Sequence, residues 1–538
     1  MSKFTHLHVH SHYSLLQALP KIADIVNKAK ENKMTSLALT DAGNLYGAIE
    51  FYKECKNFNI KPIIGVDFYI AARTRNDREP RIDNKRTRLI LLVKNSIGYK
   101  NLIHLVTDSN LEGFYYKPRI DKELIEKYSE GLIAISPAWG GDISTALRNS
   151  NEEKAEEWTD FFKKIFKDDF YLEITKHPEI EDHDEVMKRL EAFAKNKKVK
   201  IVASADVYYL EPEDKQARNT LMSIQRTFGG RSSEDDEGDF SFISSSQAEK
   251  LFKDIPEALE NNAEIAEKCN FEIELGKWVF PAIEIPSGEN ADDELKRLVY
   301  EGFAKRNVEK NDQMITRVEY ELGIIRKKGY APYFLVVADL LRFAKESGIL
   351  SNIRGSVSGS LVTFLSGITN INPIEYEIAF ERFLNPDRPS PPDIDMDYAD
   401  NRRDEMVAYA KRKYGAEKVA QIGTFGTMAA RGSVRDITRA LGYSVATGDR
   451  IAKMIPMGSQ GFPMTIERAL KETKELKEIY DKEEDTKKII DMAQKIEGCA
   501  RHISVHAAGV VMAPTDLTDF TPLQYDTKGE NKIITQYD

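Results

Sequence analysis

At 538 residues the chain is too long for one ordinary core, and at roughly 150 residues per domain it implies about three or four domains. With 41% hydrophobic and 30% charged residues and no apolar run of about 18 or more, it reads as globular, and a membrane partner is not expected. The start, MSKFTHLHVHSHYS, lacks an apolar signal core, and the scattered Cys55, Cys269 and Cys499 fit neither a disulfide framework nor a zinc knuckle, so a reducing cytoplasm is the expected location.

Residues 1–275 alternate short apolar runs with amphipathic patterns. Strands are expected at 35–41, 60–71, 88–93, 131–136, 170–175 and 199–206, with helical spacing in ADIVNKAKENK and EVMKRLEAFAKNKK between them. This alternation predicts a parallel α/β sheet or barrel. The polar inserts 73–88 and 229–240 are expected as surface loops. A Pro- and Gly-marked junction at 276–294 leads into longer helices at DQMITRVEYELGIIRKKG, YFLVVADLLRFAKESG and RRDEMVAYAKRKYG. The pattern is helical through 447–498 and strand-like again at 502–514. The formal net charge of −10 weighs against a nucleic-acid partner, yet residues 401–450 carry ten Lys or Arg against five Asp or Glu, a local basic excess.

The segment RPSPPDIDMDYAD, 388–400, carries the sharpest chemistry. On a strand, Asp393, Asp395 and Asp397 share one face while Ile394, Met396 and Tyr398 share the other. Carboxylates converging from residues two apart can hold two divalent cations about 3.5 to 4 Å apart for phosphoryl transfer. Without cations such neighbours repel, and some take up protons. An EF-hand loop is disfavoured, because Tyr398 and Asp404 stand where Gly and Glu are required. A solvated edge strand is the plainer alternative. Prolines 389, 391 and 392 suit either, since they make the entrance stiff and extended. Upstream, RGSVSGS (354–360) sets a cation and hydroxyls before an apolar run, a turn suited to holding phosphate on backbone N–H groups, with Arg354 as a bidentate clamp.

In order and spacing, RGSVSGSLV, FERFLNPDRPSPPDIDMDY, VAQIGTFGTMAA, RHISVHAAGVVMAP and ITQYD resemble the alpha subunits of bacterial DNA polymerase III, the C-family replicative polymerases. The likeness extends back to HLHVHSHYSLL and LTDAGNLYGAIEFYKECKNFNIKPIIGVDFYIA. It implies an α/β multi-domain chain: a PHP-type distorted β/α barrel (1–275), the first part of a nucleotidyltransferase-like palm (276–425), an inserted helical thumb (426–499) and an incomplete second palm part (500–538). It further implies Asp393 and Asp395 as the catalytic pair binding two Mg2+, with Asp397 auxiliary. Arg354, Gly355 and Ser356 would form the triphosphate turn, and Arg382 would lie in another motif lining the site. The expected partners are primer-template DNA, dNTPs, a proofreading exonuclease and a sliding clamp.

Three departures qualify the resemblance. The family's third catalytic aspartate lies in a later segment, so two of three catalytic carboxylates are expected here and synthesis by this chain alone is not. A truncated sequence, an engineered fragment and half of a split gene stay open. The family's Gly-Pro-Gly turn reads Ser351, Asn352, Ile353, and a β-branched Ile353 resists positive φ. Finally, His8, His10, Asp67, Glu173, His177 and Asp206 remain as PHP ligands, while Gln17, Ala42, Arg88, Ala138 and Tyr208 occupy other ligand positions. Arg88 brings a positive charge into a site meant for cations, so the PHP metal is expected to be absent and the domain structural. His502 and His506 are expected to make nucleic-acid or structural contacts rather than bind metal. The alternatives to polymerase function are a PHP phosphoesterase or 3′–5′ exonuclease, and a non-catalytic scaffold for primer-template or partner subunits.

Overall fold

The computed structural model describes residues 4–225, 238–283, 285, 288, 290–388, 392–459, 462–529 and 531–538. Most of the loop expected at 229–240, parts of the 276–294 junction, and Pro389 and Pro391 lie outside the described residues. Contacts gather the chain into two units, one of residues 1–274, 422–507 and 521–538, the other of 275–421 and 508–520. No described helix is long and apolar enough to cross a membrane.

In the first unit a seven-stranded sheet contains β1 (Ser36–Ala42), β2 (Lys61–Ala71), β3 (Arg86–Val93), β4 (Arg119–Ile120), β5 (Leu132–Ser136), β6 (Phe170–Ile174) and β7 (Lys200–Ala203). Its order is β1-β2-β3-β5-β6-β7, with β4 on β2. β1, β2 and β4 are mutually parallel, as are β5, β6 and β7. β3 departs from the all-parallel expectation, running antiparallel to both β2 and β5. Against β2 the reason is the insert between the two strands, which contains no crossover helix. Without one, consecutive neighbouring strands reverse direction. Segment 6–10 links the ends of the sheet: His6 O and Val9 O accept from Ala38 N and Thr40 N of β1, while His10 N and Val207 N bond Val207 O and His8 O.

Strand alternation divides the apolar residues. Leu37, Leu39, Val66, Leu89, Leu91 and Leu172 pack outward with helices such as Ile22–Glu31 and Ser96–Leu111. Ala38, Ile63, Ile90, Leu92, Ile133, Ile135, Tyr171 and Val202 form a separate cluster with Ile265, Ala266 and Cys269, at the end of helix Pro256–Lys268. The positions that continue this inner face along β2, β3 and β6 are Asp67, Arg88 and Glu173, so one part of the interior is polar.

The helices expected through 447–498 are Val445–Met454, Ile466–Glu472, Lys474–Lys482 and Glu484–Ile496. Ile451, Ile466, Ile489 and Ile496 are buried with Val434 and Leu221 in another core of the first unit. A four-stranded sheet has the order β11-β10-β13-β12, from β10 (Val419–Thr427), β11 (Ala500–Met512), β12 (Leu523–Tyr525) and β13 (Ile533–Thr535). Just after β13, Gln536 Oε1 accepts from Leu45 N at 3.0 Å, and the hydroxyls of Tyr537 and Tyr99 meet at 2.6 Å.

The second unit is built on helices Ala291–Lys305, Asp312–Lys328 and Ala331–Glu346, the first two capped by Asn290 and Asn311 side chains. Val299, Phe303, Val318, Phe334 and Val337 bury their faces against Val357, Leu361, Phe380 and Ile394. Gly302 permits a close approach, since a Cβ there would stand 2.1 Å from Leu365 O. The core supports a two-stranded antiparallel ribbon of β8 (Ser351–Arg354) and β9 (Asp395–Tyr398).

Candidate active site

The aspartate face forms because its back is anchored. Ile394 is buried in the helical core, and Met396, Tyr398 and Ile353 pack against that core. The β8–β9 register pairs Ile353 with Met396, Arg354 with Asp395, and Asn352 with Asp397. Arg354, Asn352, Asp395 and Asp397 therefore share the opposite face. Asp393 lies in the extended approach before β9 and is exposed, as is Asp395. Among the described residues neither is held in an ion pair. The Tyr333 hydroxyl is pushed up to about 12, mainly by burial and further by the charges of Asp393 and Asp395, and it hydrogen bonds the backbone of Ile394. That contact pins the residue between the two carboxylates.

Asp397 is placed differently. Arg354 donates from Nε to Asp397 Oδ2 at 2.6 Å and from Nη2 to Oδ1 at 3.1 Å, a bidentate pair with both side chains substantially exposed. The guanidinium read from the sequence as a phosphate clamp thus holds the third aspartate of the face. Arg382 is exposed at the end of the 3₁₀ turn Phe380–Arg382, whose Phe380 is buried. Two exposed oxygen-donor side chains beside one another suit a hard divalent cation, so Asp393 and Asp395 fit that group.

The turn after Arg354 corrects two details of the sequence reading. Ile353 lies in β8, and it is Gly355 that adopts φ +92°, with nothing near its missing Cβ. Conformation alone calls for glycine there, and the concern over Ile353 falls away. Moreover, the backbone N–H groups that start helix Leu361–Leu365 are already taken. Buried Glu321 accepts from Leu361 N and Val362 N at 3.0 Å each and from Ser360 Oγ at 2.7 Å. Arg317 donates Nε to Glu321 at 2.6 Å and Nη2 to Gly359 O and Ile378 O. Burial pushes the Glu321 carboxyl up, opposed by these donors. Any phosphate contact from this loop would therefore come from the exposed Gly355–Ser356 end. Glu321 escaped the sequence reading because it sits in the middle of an ordinary amphipathic helix.

A cleft of about 1160 Å3 opens beside β8, lined by Asn352, Arg306, Arg342, Lys345, Lys413 and apolar residues including Ile349. The aspartates and Arg354 are not among its lining residues.

In the first unit the polar end of the barrel gathers His8, His10, Asp67, Glu173 and Asp206 around Arg88. His8 Nδ1 bonds Glu173 Oε1 at 2.9 Å, and His8 Nε2 lies 3.1 Å from both His10 Nε2 and Asp206 Oδ1. One ligand atom each from His8, His10 and Asp206 falls within 4.8 Å of the others, a spacing that by itself suits a metal. Arg88, however, reaches the same spot: Nη2 is 2.9 Å from His8 Nε2 and 3.3 Å from His10 Nε2, while Nε donates to Asp67 Oδ2 at 2.7 Å. A fixed guanidinium at the convergence of the ligand atoms is incompatible with a divalent cation there, so these residues do not fit the PHP metal.

The electrostatics follow from that arrangement. Burial disfavours a charged His8, but Asp206 and Glu173 overcome it and push its pKa up to about 10. His10, buried and beside charged His8, goes down to about 4. Burial would raise Asp206, yet His8 and Arg88 hold it far below the carboxylate range. At the other substituted ligand positions, Tyr208 stacks on His10 at 4.3 Å, Ala138 N donates to Glu173 Oε2, and Gln17 accepts from the Tyr69 hydroxyl. His177 packs edge-on to His183 rather than joining the Arg88 cluster. His502 covers Gly426, where a Cβ would stand 2.5 Å from its ring.

A family model described as the bacterial DNA polymerase III alpha NTPase domain matches residues 293–538, and a PHP domain model matches 6–177. Along the whole chain, identity is 41% to a DNA polymerase III subunit alpha from Borreliella burgdorferi, 39% to one from Aquifex aeolicus and 36% to one from Vibrio cholerae. The matched parts make up 47%, 50% and 46% of those proteins, so the chain spans about half the length of the curated relatives it matches.

Proposed function

The chain belongs to the bacterial DNA polymerase III alpha subunit family, and from that membership we propose that its second unit carries the acidic face of a template-directed DNA polymerase. The carrying observation is that Asp393 and Asp395 are exposed and unpaired among the described residues, while Ile394 between them is buried in the core. The reaction is nucleotidyl transfer: the primer 3′-hydroxyl gives up its proton to solvent and its oxygen attacks the α-phosphorus of a dNTP, so that the O3′–Pα bond forms while the bond from Pα to the bridging oxygen of the β-phosphate breaks and pyrophosphate leaves. Asp393 and Asp395 would hold two Mg2+ ions, which when bound supply Lewis-acid stabilisation of the developing oxygen charges. Tyr333 hydrogen bonds the backbone of Ile394, which lies between the two aspartates. Gly355 and Ser356 offer backbone N–H groups to the triphosphate. Asp397 restrains Arg354 until an incoming phosphate competes for its fork.

Primer-template DNA and dNTPs are the substrates of this reading. Hydrolysis by the barrel is disfavoured because Arg88 occupies the convergence of its ligand atoms. Proofreading therefore falls to a separate exonuclease, and processivity to a sliding clamp. The test is Mn2+ titration of this chain alongside primer extension by the chain continued to the length of its relatives. Asp393→Ala and Asp395→Ala are each expected to abolish extension and weaken Mn2+ binding. Unimpaired extension by either variant would overturn the assignment.

A further inference from the structure

On the first unit, the insert between β2 and β3 folds around a cation. Arg119, fully buried at the start of β4, donates to four backbone carbonyls: Gly113, Asp83, Arg75 and Asp77, at 2.9 to 3.0 Å. Arg73 clamps buried Asp83, and Arg75 bonds Glu112, Asp121 and Glu123. These bonds hold loops 73–86 and 112–118 in one fixed form, and the same loops leave an unusual set of side chains outside. Phe114 is 51% exposed, Tyr116 70% and Ile82 41%. Tyr115 and Tyr116 meet edge-on at 4.7 Å, and Arg119 lies over the Tyr115 ring. Arg86 and Lys117 both lie over the Tyr69 ring. Arg78, close enough to Arg119 to perturb it, is exposed together with Arg81, Lys85 and Arg86. Among the described residues none of Arg78, Arg81, Lys85, Arg86 and Lys117 is ion-paired.

We propose that this surface is a single-stranded nucleic-acid site in which Phe114 and Tyr116 stack on bases while Arg78, Arg81, Lys85 and Lys117 follow the phosphates. Exposed rings stack on any base, and unpaired cations on a preorganised loop match a flexible polyanion. An acidic protein partner could use the cations but gains nothing particular from aromatic faces turned to solvent. Neither the aspartate face nor the Arg88 cluster takes part.

The test is fluorescence anisotropy of a labelled oligothymidylate on the full chain, with a bromodeoxyuridine-substituted strand for photo-cross-linking and peptide mapping. Phe114→Ala combined with Tyr116→Ala is expected to weaken binding about tenfold or more. Arg78→Ala with Arg81→Ala should reduce the slope of log affinity against log salt by about 0.7 for each phosphate that is no longer neutralised. Cross-links should fall in 112–119 and disappear in the aromatic variant. Because the altered side chains are exposed, thermal unfolding serves as the control for folding. Unchanged affinity in the aromatic variant, or cross-links confined to other peptides, overturns the proposal and leaves the patch to a protein partner.

Discussion

The carboxylate of Glu321 sits 3.0 Å from the backbone N–H of Val362, so helix Leu361–Leu365 begins on a buried anion delivered from another helix. This contact ties Asp312–Lys328 to the loop that carries Arg354, Gly355 and Ser356. Glu321→Ala leaves Arg317 without its carboxylate and two N–H groups unpaired, and is expected to cost about 3–5 kcal/mol of stability. Glu321→Gln retains the shape and should cost less. Denaturant unfolding monitored in the second unit checks both, and equal, negligible losses would show that the loop is held by something else.

The Arg354–Asp397 pair separates two roles for the third aspartate. As a restraint on the guanidinium, Asp397→Asn should free Arg354, leaving Mn2+ binding intact and dNTP binding equal or tighter. As a metal ligand, the same change should weaken Mn2+ binding as Asp393→Asn does. Titrating both variants with Mn2+ and a fluorescent dNTP distinguishes them. The geometry favours the first outcome, because both Asp397 oxygens accept from Arg354.

The aspartate face was legible in the sequence because its signal is local: a period of two places carboxylates on one side and Ile394 and Met396 on the other whatever surrounds them. Strand positions were readable for the same reason, β2 and β6 falling within a residue of expectation at each end. Direction was not. The antiparallel course of β3 against β2 goes with a polar insert that contains no crossover helix, and that insert is tied down by Arg119, whose four carbonyl acceptors lie up to 44 residues away in sequence. The phosphate-like turn was half readable. Gly355 carries its own conformational reason, whereas the occupation of the following N–H groups by Glu321 is purely tertiary. Arg88 stood out as a charge in the wrong place, and the structure adds which atoms it meets.

Asp142 gives the first unit a pH dependence. Its side chain is buried, Oδ1 accepts from Thr87 Oγ1 at 2.6 Å, and Oδ2 has no hydrogen-bond partner. Burial pushes its pKa up to about 7 from 3.8. Between these values folded Asp142 binds more protons than unfolded Asp142, so its own contribution to stability falls as pH rises from about 4 to 7 and then levels off, against the opposite contribution of buried histidines such as His10. The contribution is about 2–4 kcal/mol. Asp142→Asn should remove this slope and leave the variant more stable than the parent at pH 8. Unfolding free energies measured across the window test it, and parallel curves for the two proteins would refute it.

Arg88 makes the strongest claim about the barrel, because one side chain neutralises Asp67 and stands among His8, His10 and Asp206. Arg88→Ala should destabilise the first unit by about 3–5 kcal/mol, since buried carboxylates lose their cation. The same truncation opens the convergence of ligand atoms to a divalent ion. Mn2+ should therefore stabilise the first unit of the variant beyond whatever stabilisation the parent gains through Asp393 and Asp395. At a free concentration a hundredfold above its Kd, the ion would restore about 2.7 kcal/mol. A variant as stable as the parent, or one that gains no more from Mn2+ than the parent does, would mean that the guanidinium neither balances these charges nor stands in for an ion.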